Sequence, residues 1–220
     1  IDRNVGAWIR GDLGHVFYAF AVTNGFDSIG VAPAAIDQVP AFVGKLDFQL
    51  WGGNDRVKRG KYEESNTGRK NLGVIGISAA TDRNNNSSGV VSTKNQVYQF
   101  GIDTAIKADL FYLQAEYVGR WIDYEVGNAS IPGGDGSSQY SHGFYVQGGF
   151  LFDNFEVVGL GSFIWCDGKQ DGNAVQAGPG LNWYISGNHK IKLQTDVTYF
   201  DVSPNLQDST EDLDGSAGTS

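Results

Sequence analysis

The sequence predicts an all-β fold, an antiparallel up-and-down transmembrane β-barrel, on three observations. Ten stretches alternate apolar with small or polar residues, the period of two that gives a strand one apolar and one polar face. Tight turns alternate with long polar connections between these stretches, as they do in outer-membrane barrels. With 31 Gly, 13% aromatic and only 40% hydrophobic residues, the composition suits strands of which one face alone is greasy. No apolar run reaches the roughly 18 residues of a spanning helix, so any membrane crossing is expected to be by strands.

The strands are expected at residues 5–11, 15–22, 41–50, 72–80, 97–106, 110–124, 141–151, 155–165, 174–185 and 190–200. The first two are short and meet at a turn over 12–14. In the third, Phe42, Leu46, Phe48 and Leu50 oppose Lys45, Asp47 and Gln49. The fourth mixes apolar residues with Gly and Ser. In the fifth, Tyr98, Phe100, Ile102 and Ile106 oppose Gln99 and Asp103. In the sixth, Phe111, Leu113, Ala115, Tyr117 and Trp121 oppose Gln114, Glu116 and Arg120. The seventh carries the pattern from Phe144 to Phe150, turns at Asp153-Asn154, and the eighth runs back. Glycines 148, 149, 159 and 161 read as close-packing positions in these strands and the eighth's neighbours. In the tenth, Ile191, Leu193, Val197 and Tyr199 oppose Lys190, Lys192, Gln194 and Asp196. Phe111, Leu113, Tyr117, Phe144, Val146, Leu193 and Val197 are therefore expected to face outward.

Four connections are short, at 12–14, 107–109, 153–154 and 186–189, and each carries Gly, Asn or Asp, which tolerate hairpin dihedrals. The others are long, polar and Gly-rich. One breaks the alternation: residues 52–71 stand where a tight turn belongs, and carry Arg56, Lys58, Arg59 and Lys61. They read either as a solvated charge run or as a basic vestibule that attracts anions. With tight turns on the periplasmic side, both chain ends would lie outside. The expectation is an internal piece of a larger barrel, its first and last strands left as open edges.

A charge on the lipid face near the bilayer midplane costs about 2–4 kcal/mol for Arg or Lys, so the charged faces are expected to line water. The candidate lining is Arg10, Lys45, Arg120, Lys190 and Lys192 against Asp47, Asp103, Glu116 and Asp196. Any one of these also reads as a salt-bridged wall residue. Trp8, Trp51, Trp121, Trp165 and Trp183, with Tyr124 and Tyr199, lie near strand ends, where aromatics form interfacial girdles.

Asp2-Arg3-Asn4-Val5-Gly6-Ala7-Trp8-Ile9-Arg10-Gly11 and Phe17-Tyr18-Ala19-Phe20-Ala21-Val22-Thr23-Asn24-Gly25 resemble consecutive mid-barrel strands of the phosphate-selective porins O and P. Phe144-Tyr145-Val146-Gln147-Gly148-Gly149, and Gly180-Leu181-Asn182-Trp183-Tyr184-Ile185 through Lys190-Ile191-Lys192-Leu193, resemble the closing strands of that family. The resemblance implies a sixteen-stranded, usually homotrimeric porin of the bacterial outer membrane. Its partners would be the lipid bilayer, lipopolysaccharide, and small anions such as phosphate or other small solutes. Five strands would precede residue 1 and one would follow Ser220. That family lines its constriction with basic residues, whereas the lining here is mixed, so a modest anion bias is expected, with little preference for phosphate over chloride.

Other chemistries find little support. His15, His142 and His189 are widely spaced, and Ser141 and His142 adjoin in a strand, so their side chains point apart. No serine gathers a base, an orienter and an oxyanion hole. The run Asp82-Arg83-Asn84-Asn85-Asn86-Ser87-Ser88-Gly89 lacks the sixth-position Gly and twelfth-position Glu of a calcium loop. Neither an enzyme nor a cofactor is expected. A net charge of −9 argues against a nucleic-acid partner, and the lone Cys166 excludes an internal disulfide framework. The alternative is a soluble secreted β-sandwich or barrel, with a glycan or ligand site in its loops and aromatics as stacking platforms.

Overall fold

A computed structural model describes residues 6–23, 40–52, 71–88, 91–124, 138–167, 172–186 and 191–203. Among them lie eleven strands and no helix: β1 (Gly6–Asp12), β2 (Val16–Thr23), β3 (Ala41–Gly52), β4 (Leu72–Ser88), β5 (Val91–Ala108), β6 (Phe111–Tyr124), β7 (Ser138–Phe152), β8 (Phe155–Asp167), β9 (Gly172–Tyr184), β10 (Lys192–Asp196) and β11 (Tyr199–Val202). All belong to one antiparallel sheet in the order β1 to β10, with β11 also pairing β9. The expected up-and-down meander is present. The sheet does not close on itself: β1 pairs with β2 alone, while β10 and β11 pair with β9 alone.

Local chemistry accounts for the three tight turns described. Leu13 N–H donates to Val16 O at 2.8 Å, and Asp12 Oδ1 accepts from Gly14 N–H at 3.0 Å. Gly14 sits at φ +77°, a region a residue without Cβ enters freely. The β5–β6 and β7–β8 hairpins close through Asp109-Leu110 and Asp153-Asn154, with Asp109 at φ 48° and Asp153 at φ 51°. Aspartate tolerates that region better than most residues, because its short polar side chain bonds locally.

Three differences from the expected boundaries bear on the site. The β4–β5 hairpin runs on through Ser88 and Val91, where a loop over 81–96 was expected, because its polar alternation pairs as well as an apolar one. The turn expected at 107–109 sits at 109–110, which places Lys107 inside β5. The tenth expected strand is interrupted between β10 and β11, although both halves keep one register on β9 (Asp196 opposite Gly180, Tyr199 opposite Ala177). Pro179 is the reason. Val197 N–H donates to Pro179 O at 3.1 Å, but proline has no N–H to return. Arg56, Lys58, Arg59, Lys61 and Lys190 lie outside the described residues.

Register sorts every side chain to one of two faces. One ladder row runs Tyr18, Leu46, Ile77, Ile102, Tyr117, Phe144, Phe163, Val175 across eight strands, and every member is apolar or aromatic. The row one residue along runs Asp47, Gly76, Asp103, Glu116, Tyr145, Ser162, Gln176. Phe111, Leu113, Tyr117, Phe144, Val146, Leu193 and Val197 all share the first face, as expected. Exposure is inverted relative to a water-soluble domain: Phe144 is 51% and Leu193 61% exposed, whereas Asp47 and Glu156 are 0% exposed. Among the described residues the buried apolar cluster is Leu72 and Val74, with Phe17 packed against them.

Candidate functional site

The polar face is the candidate site, and β-strand pairing positions its charges. Arg10, Lys45, Asp47, Asp103, Glu116, Arg120, Lys192 and Asp196 all lie on it by register. Lys45 Nζ approaches Asp103 Oδ2 to 3.0 Å and Asp47 Oδ1 to 3.9 Å. Gly76 stands between the two aspartates, and a Cβ there would collide with both carboxylates. Three charges therefore meet at one point of the wall: Lys45 holds together two acids that would repel each other across the glycine of the intervening β4.

Other charges are spread out. Arg10 packs its guanidinium 4.6 Å from the Trp8 ring centroid, since residues two apart on a strand share a face. Trp8 and Tyr124 thus belong to the polar face and not to an aromatic girdle, because parity outweighs their position near strand ends. Arg120 and Lys192 are exposed and, among the described residues, have no ion-pair partner.

Toward the tight turns the polar face is buried and, Gln114 apart, carries groups that the strand pattern did not single out. Lys107, Tyr112, Gln114, Glu156, Asn182 and Tyr184 are all buried there. Glu156 Oε2 accepts from Tyr184 Oη at 2.7 Å and from Asn182 Nδ2 at 2.8 Å, tying β8 to β9. Gln147 Nε2 donates to Gln114 Oε1 at 2.6 Å, tying β7 to β6. The signal for these residues was parity. Lys107 shares the face of Gln99 and Asp103 once β5 is extended to its true end, and Glu156 shares that of Ser162 within the strand already expected.

Among the residues whose side chains are described, the opposite face is uncharged through its central band. The charged ones it carries, Arg83, Asp123, Asp167 and Asp201, all lie toward the strand ends away from the tight turns. Aromatics gather at two levels of this face. Near the turns, Phe111 meets Phe150, Phe150 meets Phe152, and Phe155 stacks on Trp183 at 5.7 Å. Toward the other end, His142 packs on Trp165 at 4.7 Å and on Tyr140 at 5.3 Å, and its Nδ1 lies 3.0 Å from Tyr117 Oη. Ser141 and His142 point to opposite faces, so they form no dyad. Among the described residues no group of three His, Cys, Asp or Glu side chains is placed to hold a metal ion. No family model, curated protein or solved structure matches this chain.

Proposed function

We propose that this chain forms wall strands of a bacterial outer-membrane porin, a water-filled channel through which small solutes diffuse passively. The observation that carries the reading is the inverted sheet: an aromatic-rich face, uncharged through its central band among the described residues, on which large apolar side chains such as Phe144 and Leu193 are exposed while Asp47 and Glu156 of the other face are buried. In water that apolar face would be far larger than a soluble monomer tolerates; in a bilayer it meets lipid. Its height fits. Phe150 and His142, one in each aromatic level, are eight residues apart on β7, which is about 26 Å along a strand. At a tilt of roughly 40° that becomes about 20 Å, near the apolar band of such barrels. Hydrocarbon cannot satisfy open strand edges, so β1 and the β10–β11 line would pair with further strands of the same wall.

Arg120 and Lys192 would draw small anions into the channel, because low-dielectric walls focus their field. Lys45 contributes little to this, as Asp47 and Asp103 neutralise it. The polar face also carries Glu116 and Asp196, so the anion bias is modest and phosphate is scarcely preferred to chloride. Lipopolysaccharide contact and a homotrimeric assembly follow from the resemblance to the phosphate-selective porins O and P.

The test is reconstitution of the full-length protein into planar bilayers. Stepwise conductance increments are expected, with a reversal potential in a KCl gradient displaced slightly toward anion selectivity. Arg120→Glu with Lys192→Glu should move it to the cation side. A protein that stays monodisperse in plain buffer without detergent and gives no conductance overturns the channel reading.

A further inference from the structure

One recess on the polar face lies where two charges of opposite sign, without an ion-pair partner among the described residues, flank an apolar strip. We infer that it binds a zwitterionic solute of dipeptide length, its carboxylate on Arg120 and its ammonium on Glu116. The inference rests on the channel reading and names a solute class for it. A cavity of about 400 Å³ is lined by Glu116, Val118 and Arg120 of β6, Gly143 of β7, Ile164 of β8 and Gln99 of β5, within the range of small-molecule sites.

Register sets the arrangement. Val118 lies between Glu116 and Arg120 on the same face; Gly143 is directly opposite Val118, and Ile164 is opposite Gly143. Gly143 has no side chain to fill the recess, so the floor between the two charges is low and its sides, Val118 and Ile164, are apolar. Among the described residues neither Arg120 nor Glu116 has an ion-pair partner, unlike Lys45, Asp47 and Asp103, the last of which stands directly opposite Glu116. Both charges therefore remain available to a ligand, and each hydrogen bond they make to one is charge-assisted.

Spacing selects the length of the ligand. Four residues along a strand place Glu116 and Arg120 about 13 Å apart, both side chains standing off the sheet. An extended dipeptide spans roughly 7 Å, and two charge-assisted hydrogen bonds of about 2.8 Å bring the total to about 12.6 Å. A single α-amino acid falls short by about one residue length and a tripeptide overshoots by as much. The dipeptide's two side chains would lie against Val118 and Ile164. Like the wall itself, such a ligand is charged at its ends and apolar between them.

The experiment measures block of open-channel current in the full-length protein by L-alanyl-L-alanine, by its N-acetyl derivative and by its C-terminal amide. Equilibrium binding of the same three peptides to detergent-solubilised protein is followed by calorimetry. The free dipeptide should block and bind about tenfold better than either capped form, a factor equal to about 1.4 kcal/mol. Arg120→Gln should erase the difference between the dipeptide and its amide, and Glu116→Gln that between the dipeptide and its acetyl form. Equal action of free and capped peptides on the wild type overturns the inference, with no variant needed. Conductance without peptide block or binding removes this site and leaves the channel reading. Selective binding by a protein that never conducts removes the channel reading and leaves the site.

Discussion

Lys45 and Arg120 show how differently two cations of one face can behave. Lys45 lies within 3.9 Å of two aspartate oxygens, and the Asp47 side chain is 1% exposed. Removing the amine leaves two neighbouring carboxylates with their repulsion uncompensated, whereas removing the Arg120 guanidinium breaks no ion pair among the described residues. Lys45→Ala is therefore expected to lower the temperature of the heat-induced gel-mobility shift by several degrees, and Arg120→Ala to leave it nearly unchanged. Equal shifts would show that the Lys45 cluster is not structural. Glu156 offers a second case. Its buried Oε2 accepts from both Tyr184 Oη and Asn182 Nδ2. Tyr184→Phe removes one donor to a buried acceptor and should destabilise the folded state by about 1–3 kcal/mol, read as a lower urea midpoint in detergent. A midpoint equal to that of the wild type would mean that this bond adds nothing.

At the scale of elements, the hairpins depend on a few turn residues. Asp153 holds φ 51° between β7 and β8, which pair over thirteen residues, from Phe152 opposite Phe155 to Tyr140 opposite Asp167. A β-branched side chain strains that backbone by about 1–2 kcal/mol, while glycine relieves it. Asp153→Val should slow refolding into detergent micelles and lower stability, and Asp153→Gly should match or exceed the wild type, both followed by tryptophan fluorescence. If valine folds as fast as aspartate, the turn does not guide the pairing. Pro179 acts in the opposite sense. It sits in a strand paired on both sides, and its absent N–H costs one ladder bond toward Val197 and divides the last line into β10 and β11.

For the whole molecule, the decisive property is which face meets lipid. Val146 and Gln147 are adjacent on β7 but belong to opposite faces, Val146 opposite Ala115 and Gln147 opposite Gln114. In the channel reading, Val146→Arg puts a cation into hydrocarbon at about 2–4 kcal/mol. Gln147→Arg puts the same cation into water, and loses one amide hydrogen bond of about 1 kcal/mol. Insertion into lipid vesicles, scored by protease protection, should fail or weaken for Val146→Arg and persist for Gln147→Arg. The reverse ranking would place lipid on the polar face. Both open edges of the sheet belong to this scale, since an unpaired strand invites aggregation until another strand covers it.

The sequence by itself determined the strands, their antiparallel order and the face of nearly every described strand residue between Ala41 and Tyr199, because side chains on a strand alternate with a period of two and the apolar set marks one side. That is why the seven residues expected to face outward share a face, and why Lys45, Glu116 and Lys192 share the other. Position across strands was out of its reach. Lys45 and Asp103 are 58 residues apart, and only the register of β3, β4 and β5 brings them to 3.0 Å over the gap left by Gly76. Glu156, Asn182 and Tyr184 form a buried group for the same reason, and Trp8 follows the polar face because pairing with β2 sets its parity. Alternation is local and legible along the chain; which charges neutralise each other, and which stay free in the Gly143 recess, is set by hydrogen-bond register between strands distant in sequence.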